Sequence, residues 1–352
     1  MRIAQIMLGK NFGGAERSFV DMCQALGSKG HDVLAICERR SKAVTFVEQI
    51  EGLTSKTVIV RGSWDPFARR KIKRHLEIFD ADVVQMHLAR SAQMAGPAAR
   101  LLGIPSVAKT HNYVNLKYYE SISKLVPTTR RQEVYLRSQG VPEDRISRIP
   151  NFSSIPPKPP KTEPTNWSSG VLQVVGLGRL VHKKGFDLFL RAVAAARRDG
   201  LKLAVTIAGA GPESGALMRL RRDLGLEKVV TFLGWQDDVQ TYLSKADVFV
   251  LPSRDEPFGI VCLEAMASCL PIIATRTHGP TEILNEDTAI LVEPGDSTGL
   301  TKALQRIARE PRQAAQRAVA AQQHFKQNFS VNAVLSQYLE LYKGLTKAEQ
   351  WL

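Results

Sequence analysis

Cysteine is scarce in this 352-residue chain: Cys23, Cys37, Cys262 and Cys269 are the four present. They form neither a CxxC pair nor a disulfide framework, which excludes a stapled secreted scaffold and a thiol-based zinc module. Three lie in apolar runs, so reduced core residues of a cytoplasmic protein are expected. Long apolar stretches are missing too. The runs are strand-length, far short of the roughly 20 residues that a membrane span needs. The start, MRIAQIMLGKNFGG, does not show a basic flank, a long apolar run and a cleavage site in signal-peptide order. No His/Cys cluster has metal-ligand spacing. No GxGxxG follows the first strand, and no acidic residue stands out at the next strand end, which argues against a nicotinamide dehydrogenase.

What is present describes an ordinary folded protein. Hydrophobic residues make up 44% and charged residues 23%, outside the range of disordered chains. The length exceeds what one core usually supports, so two domains are expected. The net charge is +14 and unevenly spread. Residues 1–165 hold 26 Lys+Arg against 15 Asp+Glu; the remainder holds 22 against 19. A basic first half suits an anionic partner: nucleic acid, an anionic membrane or a phosphorylated substrate.

The first half alternates strands and helices. Arg2–Leu8 reads as a strand, Gly13-Gly14 opens a helix through Leu26, and His31–Ile36, Thr57–Val60, Val83–His87 and Ser106–Thr110 read as further strands. That alternation implies a parallel sheet covered on both faces. Then comes SSIPPKPPKTEPTNWSSG, where proline density forbids a helix or a central strand. Beyond it the same grammar restarts with VLQVVGLG, FDLFLRAVAAARR and LAVTIAGAG. The expected organisation is α/β throughout. A Rossmann-like domain spans 1–155, a Pro-rich linker 156–169, a second Rossmann-like domain 170–330, and a C-terminal helix 331–352 packs back on the first domain. Ligands on such sheets bind beyond the carboxyl ends of the strands.

Several candidate residues occupy those ends. Gly13 and Gly14 allow backbone N–H groups to approach an anion that a Cβ would exclude, though packing alone also explains such a pair. Arg179 and Lys184, in GRLVHKKG, suit a pyrophosphate, the first as a fork and the second as a point charge; a solvated basic loop is the plain alternative. In RDEPFGIVCLEAMA, Glu256 precedes a proline and is held to an extended backbone. A helix starting near Phe258–Ile260 therefore excludes Glu256 and carries Glu264. Its first N–H groups make an anion site. Glu264 lies among Val261, Cys262, Leu263, Ala265 and Met266, where a carboxylate is costly unless it accepts hydrogen bonds. Sugar hydroxyls are suitable donors.

EPFGIVCLEAMA is similar to the E-x7-E signature of the retaining GT-B glycosyltransferases, and the chain resembles glycosyltransferase family 4 (glycosyl transferases group 1). GGAER, THNY, SQGVPEDRISRIPN, GRLVHKKGFD, IAGAGPE and FLGWQDDVQTYLSKADVFVLPS follow in the family order. The resemblance implies the GT-B fold, two Rossmann-like domains facing across a cleft, with an acceptor domain first and a nucleotide-sugar domain second. It implies Arg179 and Lys184 on the donor diphosphate and Glu264 on the ribose. Glu256 would meet the donor sugar, with backbone contacts from Phe258, Gly259 and Ile260. Gly14 would lie by the phosphates and His111 near the reacting sugar. It also implies retention of anomeric configuration. The basic first half suits a lipid-linked or phosphorylated acceptor, and the favoured product is lipopolysaccharide or another surface glycan, built at the cytoplasmic face of the membrane. The favoured donor is a UDP-sugar, with a GDP-sugar possible. Two positions depart from the pattern: Phe152 stands where the family usually has glycine, and Thr277-His278 where a glycine pair is common.

Asp80-x-Asp82 mimics a metal-binding DxD but precedes a strand, where turn chemistry accounts for it. No metal or other cofactor is expected. His111 follows a strand, a place for a structural hydrogen bond as much as for a functional group. Ser63–Phe79 has Phe67, Ala68, Ile72, Leu76 and Phe79 near helical spacing with Arg69, Arg70, Lys71, Lys73 and Arg74 between them. Such a helix can lie on an anionic membrane surface or be an ordinary outer helix. Two other functions fit less well. A nucleotide-sugar epimerase of the same architecture would need no acceptor. A nucleic-acid binder would use the basic half, but it lacks a zinc motif, an RNP motif or a basic helix interleaved with aromatics, so no nucleic-acid partner is expected.

Overall fold

The computed structural model describes residues 1–10, 13–62, 64–159 and 170–348. Part of the first glycine loop (11–12), the first residue of the basic segment (63), most of the expected linker (160–169) and the last four residues of the expected C-terminal helix lie outside the described residues. The chain forms two compact units, Met1–Ser154 with Ser330–Leu352, and Ile155–Phe329.

In the first unit the order is β1 (Arg2–Met7), α1 (Gly14–Ser28), β2 (Asp32–Glu38), α2 (Ala43–Val47), β3 (Thr54–Val58), α3 (Pro66–Phe79), β4 (Val83–His87), α4 (Leu88–Leu101), β5 (Ser106–Thr110), β6 (Lys124–Pro127) and α5 (Arg130–Ser138). The second unit holds β7 (Leu172–Leu177), α6 (Phe186–Arg198), β8 (Leu203–Ala208), α7 (Ser214–Asp223), β9 (Val230–Gly234), α8 (Val239–Lys245), β10 (Val248–Leu251), α9 (Ile260–Ala267), β11 (Ile272–Thr275), α10 (Pro280–Ile283), β12 (Ile290–Val292), α11 (Ser297–Arg309) and α12 (Pro311–Asn328). The last helix, α13 (Val331–Ala348), belongs to the first unit.

Each unit is built on a six-stranded parallel sheet, ordered β3-β2-β1-β4-β5-β6 in the first and β12-β11-β10-β7-β8-β9 in the second. Both faces of each sheet are covered, which is why the strands read as continuous apolar runs. Ile3 and Met7 point to the face where α1 and α13 pack, with Phe19, Tyr338 and Tyr342. Ala4, Ile6 and Leu8 point to the other, with Ile72, Leu76 and Ala95. In the second unit, Phe186, Phe189, Leu190 and Val193 of α6 recur at helical spacing and bury together against Val174 and Val250. Phe249, Leu251 and Ile272 meet α9 and Phe325 on the opposite face.

The structure departs from the sequence reading in two strands. The third strand is Thr54–Val58 rather than Thr57–Val60; its polar TSKTV gives no apolar run to read. β6 was not expected, being four residues at a sheet edge closed by Pro127, a position where a missing N–H is tolerated. The described part of the linker is neither helix nor strand and is tied to the second unit: the Lys158 N–H donates to the Ala267 carbonyl, and Gln322 donates to the Lys158 carbonyl. Ala68, Ile72 and Leu76 of α3 are buried in the first unit's core, so that apolar set serves the fold and is not available to a membrane. Phe152, the departure from the family glycine, is buried with Val334, Leu335 and Tyr338. Asp80 and Asp82 both engage Arg2, and Asp80 closes α3 in the left-handed conformation. Among the described residues no helix is long and apolar enough to cross a membrane.

Candidate active site

In the second unit the chain runs outward from β7 to β9, then returns to place β10 on β7's other side. The carboxyl ends of β7 and β10 therefore flank the point where strand order reverses, the place where open parallel sheets bind ligands. Two loops meet there. After β7, a turn of 3-10 helix at His182–Lys184 ends on Gly185, at φ +65°, and α6 begins. A Cβ on Gly185 would stand 2.0 Å from the Pro252 carbonyl oxygen, so glycine is what lets the β7 loop lie against the β10 loop. The N–H groups of Arg254 and Asp255 donate to the Lys183 carbonyl at 2.8 and 3.1 Å. The Arg254 guanidinium donates to both carboxylate oxygens of Asp187, at 2.6 and 2.7 Å, and to the His182 carbonyl at 3.0 Å. This bidentate bond holds the Asp187 carboxyl below its usual range. A third loop, after β11, joins through the Gly279 N–H, which donates to the Glu256 carbonyl at 2.8 Å. A Cβ on Gly279 would lie 2.3 Å from the Phe258 Cα. The Thr277-His278 segment thus keeps the one glycine that this close approach demands.

Lys184 and Glu256 come together on this scaffold. The Lys184 ammonium pairs directly with Oε2 of Glu256, and their side chains are 14% and 7% exposed. Arg179 is exposed on the same β7 loop. Pro257 separates Glu256 from α9, which starts at Ile260 with Gly259 as N-cap at φ +91°. Phe258 is buried in the core beside α9, and Ile260 is half-buried. Glu264 lies one turn inside α9 and is only 4% exposed. The hydroxyls of Ser253 and Thr277 are buried nearby on the β10 and β11 loops, with no hydrogen-bond partner among the described residues. The sequence reading missed Arg254, although it stands two residues before Glu256; its partner Asp187 lies 67 positions away, and nothing local signals the pair.

The first unit has the same topology, with its reversal between β1 and β4. Gly13 is the extended N-cap of α1, and its N–H donates to Oε2 of Glu16 at 3.0 Å. That donor, expected to face an anion, is already used by a carboxylate. Gly14 opens α1. Leu88, directly after β4, holds φ +67°, a strained conformation for a bulky residue. His111 follows β5, stacked on His87 with ring centroids 5.7 Å apart, and its Nε2 is buried without a partner among the described residues. Burial, then the Lys109 charge, pushes the His111 pKa down to about 3. It is therefore a neutral imidazole, able to exchange hydrogen bonds with a hydroxyl but not to supply charge. His87 is held neutral in the same way, its Nε2 within 3.0 Å of the Gln5 amide oxygen. Lys109, in the otherwise unremarked run SVAKT, is fully buried and donates to the Ser18 hydroxyl at 2.8 Å. Its pKa is pushed down to about 7 by burial, against the pull of Asp21.

Among the described residues no group of three or more His, Cys, Asp or Glu side chains is arranged to hold a metal ion. The second unit's site offers two cations, a buried carboxylate pair and a helix start, which together can hold a diphosphate beside a polyhydroxylated group. Residues 12–155 match the family described as Glycosyltransferase Family 4, and residues 158–324 match Glycosyl transferases group 1. Over 354 residues the chain is 30% identical to the lipopolysaccharide core biosynthesis glycosyltransferase LpsD of Rhizobium meliloti (strain 1021), covering 99% of this chain and 100% of that one. It is 26% identical to LpsE of the same organism, over 97% and 98% of the two chains. The fold is that of Anabaena Alr3699/HepE, solved in complex with UDP and glucose, with a TM-score of 0.83 at 19% identity over 98% and 100% of the chains. Together the ordered motifs, the six-stranded parallel sheet in each unit and the match to LpsD over 99% of the chain show that the chain is a glycosyltransferase and belongs to glycosyltransferase family 4.

Proposed function

We propose that the enzyme moves a hexose from a nucleotide-sugar, a UDP-sugar in preference to a GDP-sugar, to a hydroxyl of a glycan or lipid-linked acceptor. The anomeric configuration is retained. The product belongs to lipopolysaccharide or a related surface glycan, built at the cytoplasmic face of an anionic membrane. The carrying observation is the contact between Lys184 and Glu256 where strand order reverses in the second unit. A donor lying there puts its diphosphate on Lys184, Arg179 and the start of α9, and its sugar beside Glu256. Preorganised cations and N–H groups stabilise the charge that grows on the diphosphate as it leaves, the kind of electrostatic help worth about 3–4 kcal/mol per donor in other enzymes. Glu256 faces the positive charge developing at the anomeric carbon. Glu264 takes the ribose hydroxyls. Ser253 and Thr277 supply buried hydroxyls whose bonding capacity a polar ligand would satisfy. No metal is required on this reading, because Arg179 and Lys184 carry the charge a metal would.

The donor preference draws on HepE, which was solved with UDP and glucose. The pathway draws on the names of the two Rhizobium relatives. The deciding experiment is Glu264→Ala, assayed for donor binding by thermal shift across UDP-, GDP- and ADP-sugars and for transfer or donor hydrolysis. The variant should lose both stabilisation by donor and turnover; near-normal activity would overturn the ribose role. A donor converted to an isomer of equal mass without any acceptor would make the enzyme an epimerase instead.

A further inference from the structure

Helix α3 has apolar residues on two sides, and the core uses only one. Ala68, Ile72 and Leu76 are buried. Phe67 and Ile78 are 80% and 73% exposed, and Trp64, just before the helix, is 78% exposed. Phe67, Lys71, Arg74 and Ile78 follow one another at spacings of four, three and four, which places them in one stripe on the helix's outer side. Lys56 on β3, Arg61 in the loop after it, and Arg70 on α3 are exposed around that stripe. Lys73 has an acidic partner in Glu77. Among the described residues, Lys56, Arg70, Lys71 and Arg74 pair with no carboxylate. Between α3 and β3, an edge strand of its sheet, runs a groove of about 620 Å³, with Leu34 and Phe79 in its lining and Lys56, Arg70, Lys71 and Arg74 around it.

The Arg69 guanidinium lies 5.2 Å from the centre of the Trp64 ring and leaves that ring largely in water. Large apolar side chains exposed among unpaired cations mark an interaction surface. The partner must be anionic and must also take apolar side chains. A nucleic-acid duplex would use the cations and leave Phe67 and Ile78 in water. A bilayer of anionic phospholipid uses both, because aromatic rings sit at the headgroup level and lysine and arginine meet the phosphates. We propose that this face, Trp64, Phe67 and Ile78 with Lys56, Arg61, Arg70, Lys71 and Arg74, is a docking surface for an anionic phospholipid bilayer. It deepens the proposed function, which has the product built at the face of an anionic membrane, but the contact itself involves no sugar.

The test is co-sedimentation of the full chain with vesicles of phosphatidylcholine alone, or with phosphatidylglycerol added. The chain should sediment only with anionic vesicles and should release as salt shortens the screening length. Each cation near such a surface contributes about 1 kcal/mol, a factor of about five, so Arg70→Gln with Lys71→Gln and Arg74→Gln should weaken partition about 100-fold. Trp64→Ser with Phe67→Ser and Ile78→Ser should abolish what binding remains at moderate salt. Both sets change exposed side chains, so melting and transfer to a short water-soluble acceptor should match the parent. Equal binding to neutral vesicles, no binding at all, or binding untouched by both variants overturns the proposal. So does tighter binding to a duplex oligonucleotide with the same dependence on these cations. Vesicle binding without any sugar transfer would instead count only against the proposed function.

Discussion

Replacing Lys184 with methionine removes a largely buried cation and keeps most of its volume. Glu256 then stays behind, 7% exposed and unpaired. Stripping one partner from a fully buried pair costs about 3–5 kcal/mol. Lys184 keeps 14% of its side chain in water, which lowers the expected cost to about 2–3 kcal/mol. In a unit of this size, that lowers the melting temperature by about 4–12 °C. Adding Glu256→Gln removes the stranded charge, and the double variant should recover most of the loss, because a coupled pair is not additive. Activity should behave differently. Each single variant should lose about 100-fold or more in kcat/KM, the scale of one lost transition-state donor, and the double variant should recover none of it. Thermal melting of the four proteins, with a transfer assay on each, completes the cycle. Two results would refute the reasoning. Strictly additive melting losses would mean the pair is not coupled as its burial implies. A double variant transferring sugar near the parent rate would remove the pair from the donor site.

Gly185→Ala must place a Cβ against the Pro252 carbonyl at a backbone conformation of φ +65°. The left-handed backbone alone costs about 1–2 kcal/mol; the clash adds to it and parts the β7 and β10 loops, so melting temperature and kcat/KM should fall together, and an unchanged enzyme would contradict the contact. Lys109 holds its proton in the fold only up to about pH 7, against an ordinary value of 10.5. Between those values the unfolded chain binds the extra proton, so stability rises with pH through that window, and the penalty is complete below it. Melting curves of the parent should show this rise and those of Lys109→Met should not. His111, pushed from 6.5 to about 3, and His87, pushed in the same direction, work at the acid end. As pH falls below 6.5 the unfolded chain takes up protons that the fold refuses, so stability falls with pH, and His111→Asn should remove part of that fall. Because His111 is already neutral, the rate profile between about pH 5 and 8 should show no limb belonging to it.

The sheet cores were legible because apolar strands buried on both faces announce themselves, and with them the loops at their carboxyl ends. That logic put Arg179, Lys184 and Glu256 in loops after the second unit's strands and Glu264 in the helix that follows. It did not reveal that Lys184 and Glu256 touch, since 72 positions separate them. Arg254 was invisible for the same reason: its meaning lies in Asp187, far away in sequence. Lys109 looked like one polar residue in a short strand, and only burial gives it a depressed pKa. Helix α3 shows the limit of periodicity from the other side. Its apolar residues were readable, but which of them face the core and which face water depends on the sheet beneath. β3 and β6 were blurred because edge strands need no apolar run to hold their place.

The first unit is discontinuous, and that has a consequence for how the protein is made. Its six strands leave the ribosome early, yet α13, which buries Tyr338 and Tyr342 against β1 and β4 and donates the Tyr342 hydroxyl to Gln85, comes last. All of Ile155–Phe329 is synthesised in between. At roughly 5–20 residues per second the wait is on the order of 10 s or more. For that interval the face of the sheet that carries Gln5, Gln85 and His87 stands partly uncovered, while the second unit has everything it needs to fold. The second unit is thus complete before the unit that precedes it in the gene. A chain cut short by a few turns at its C-terminus would damage the early-made unit and leave the later one whole.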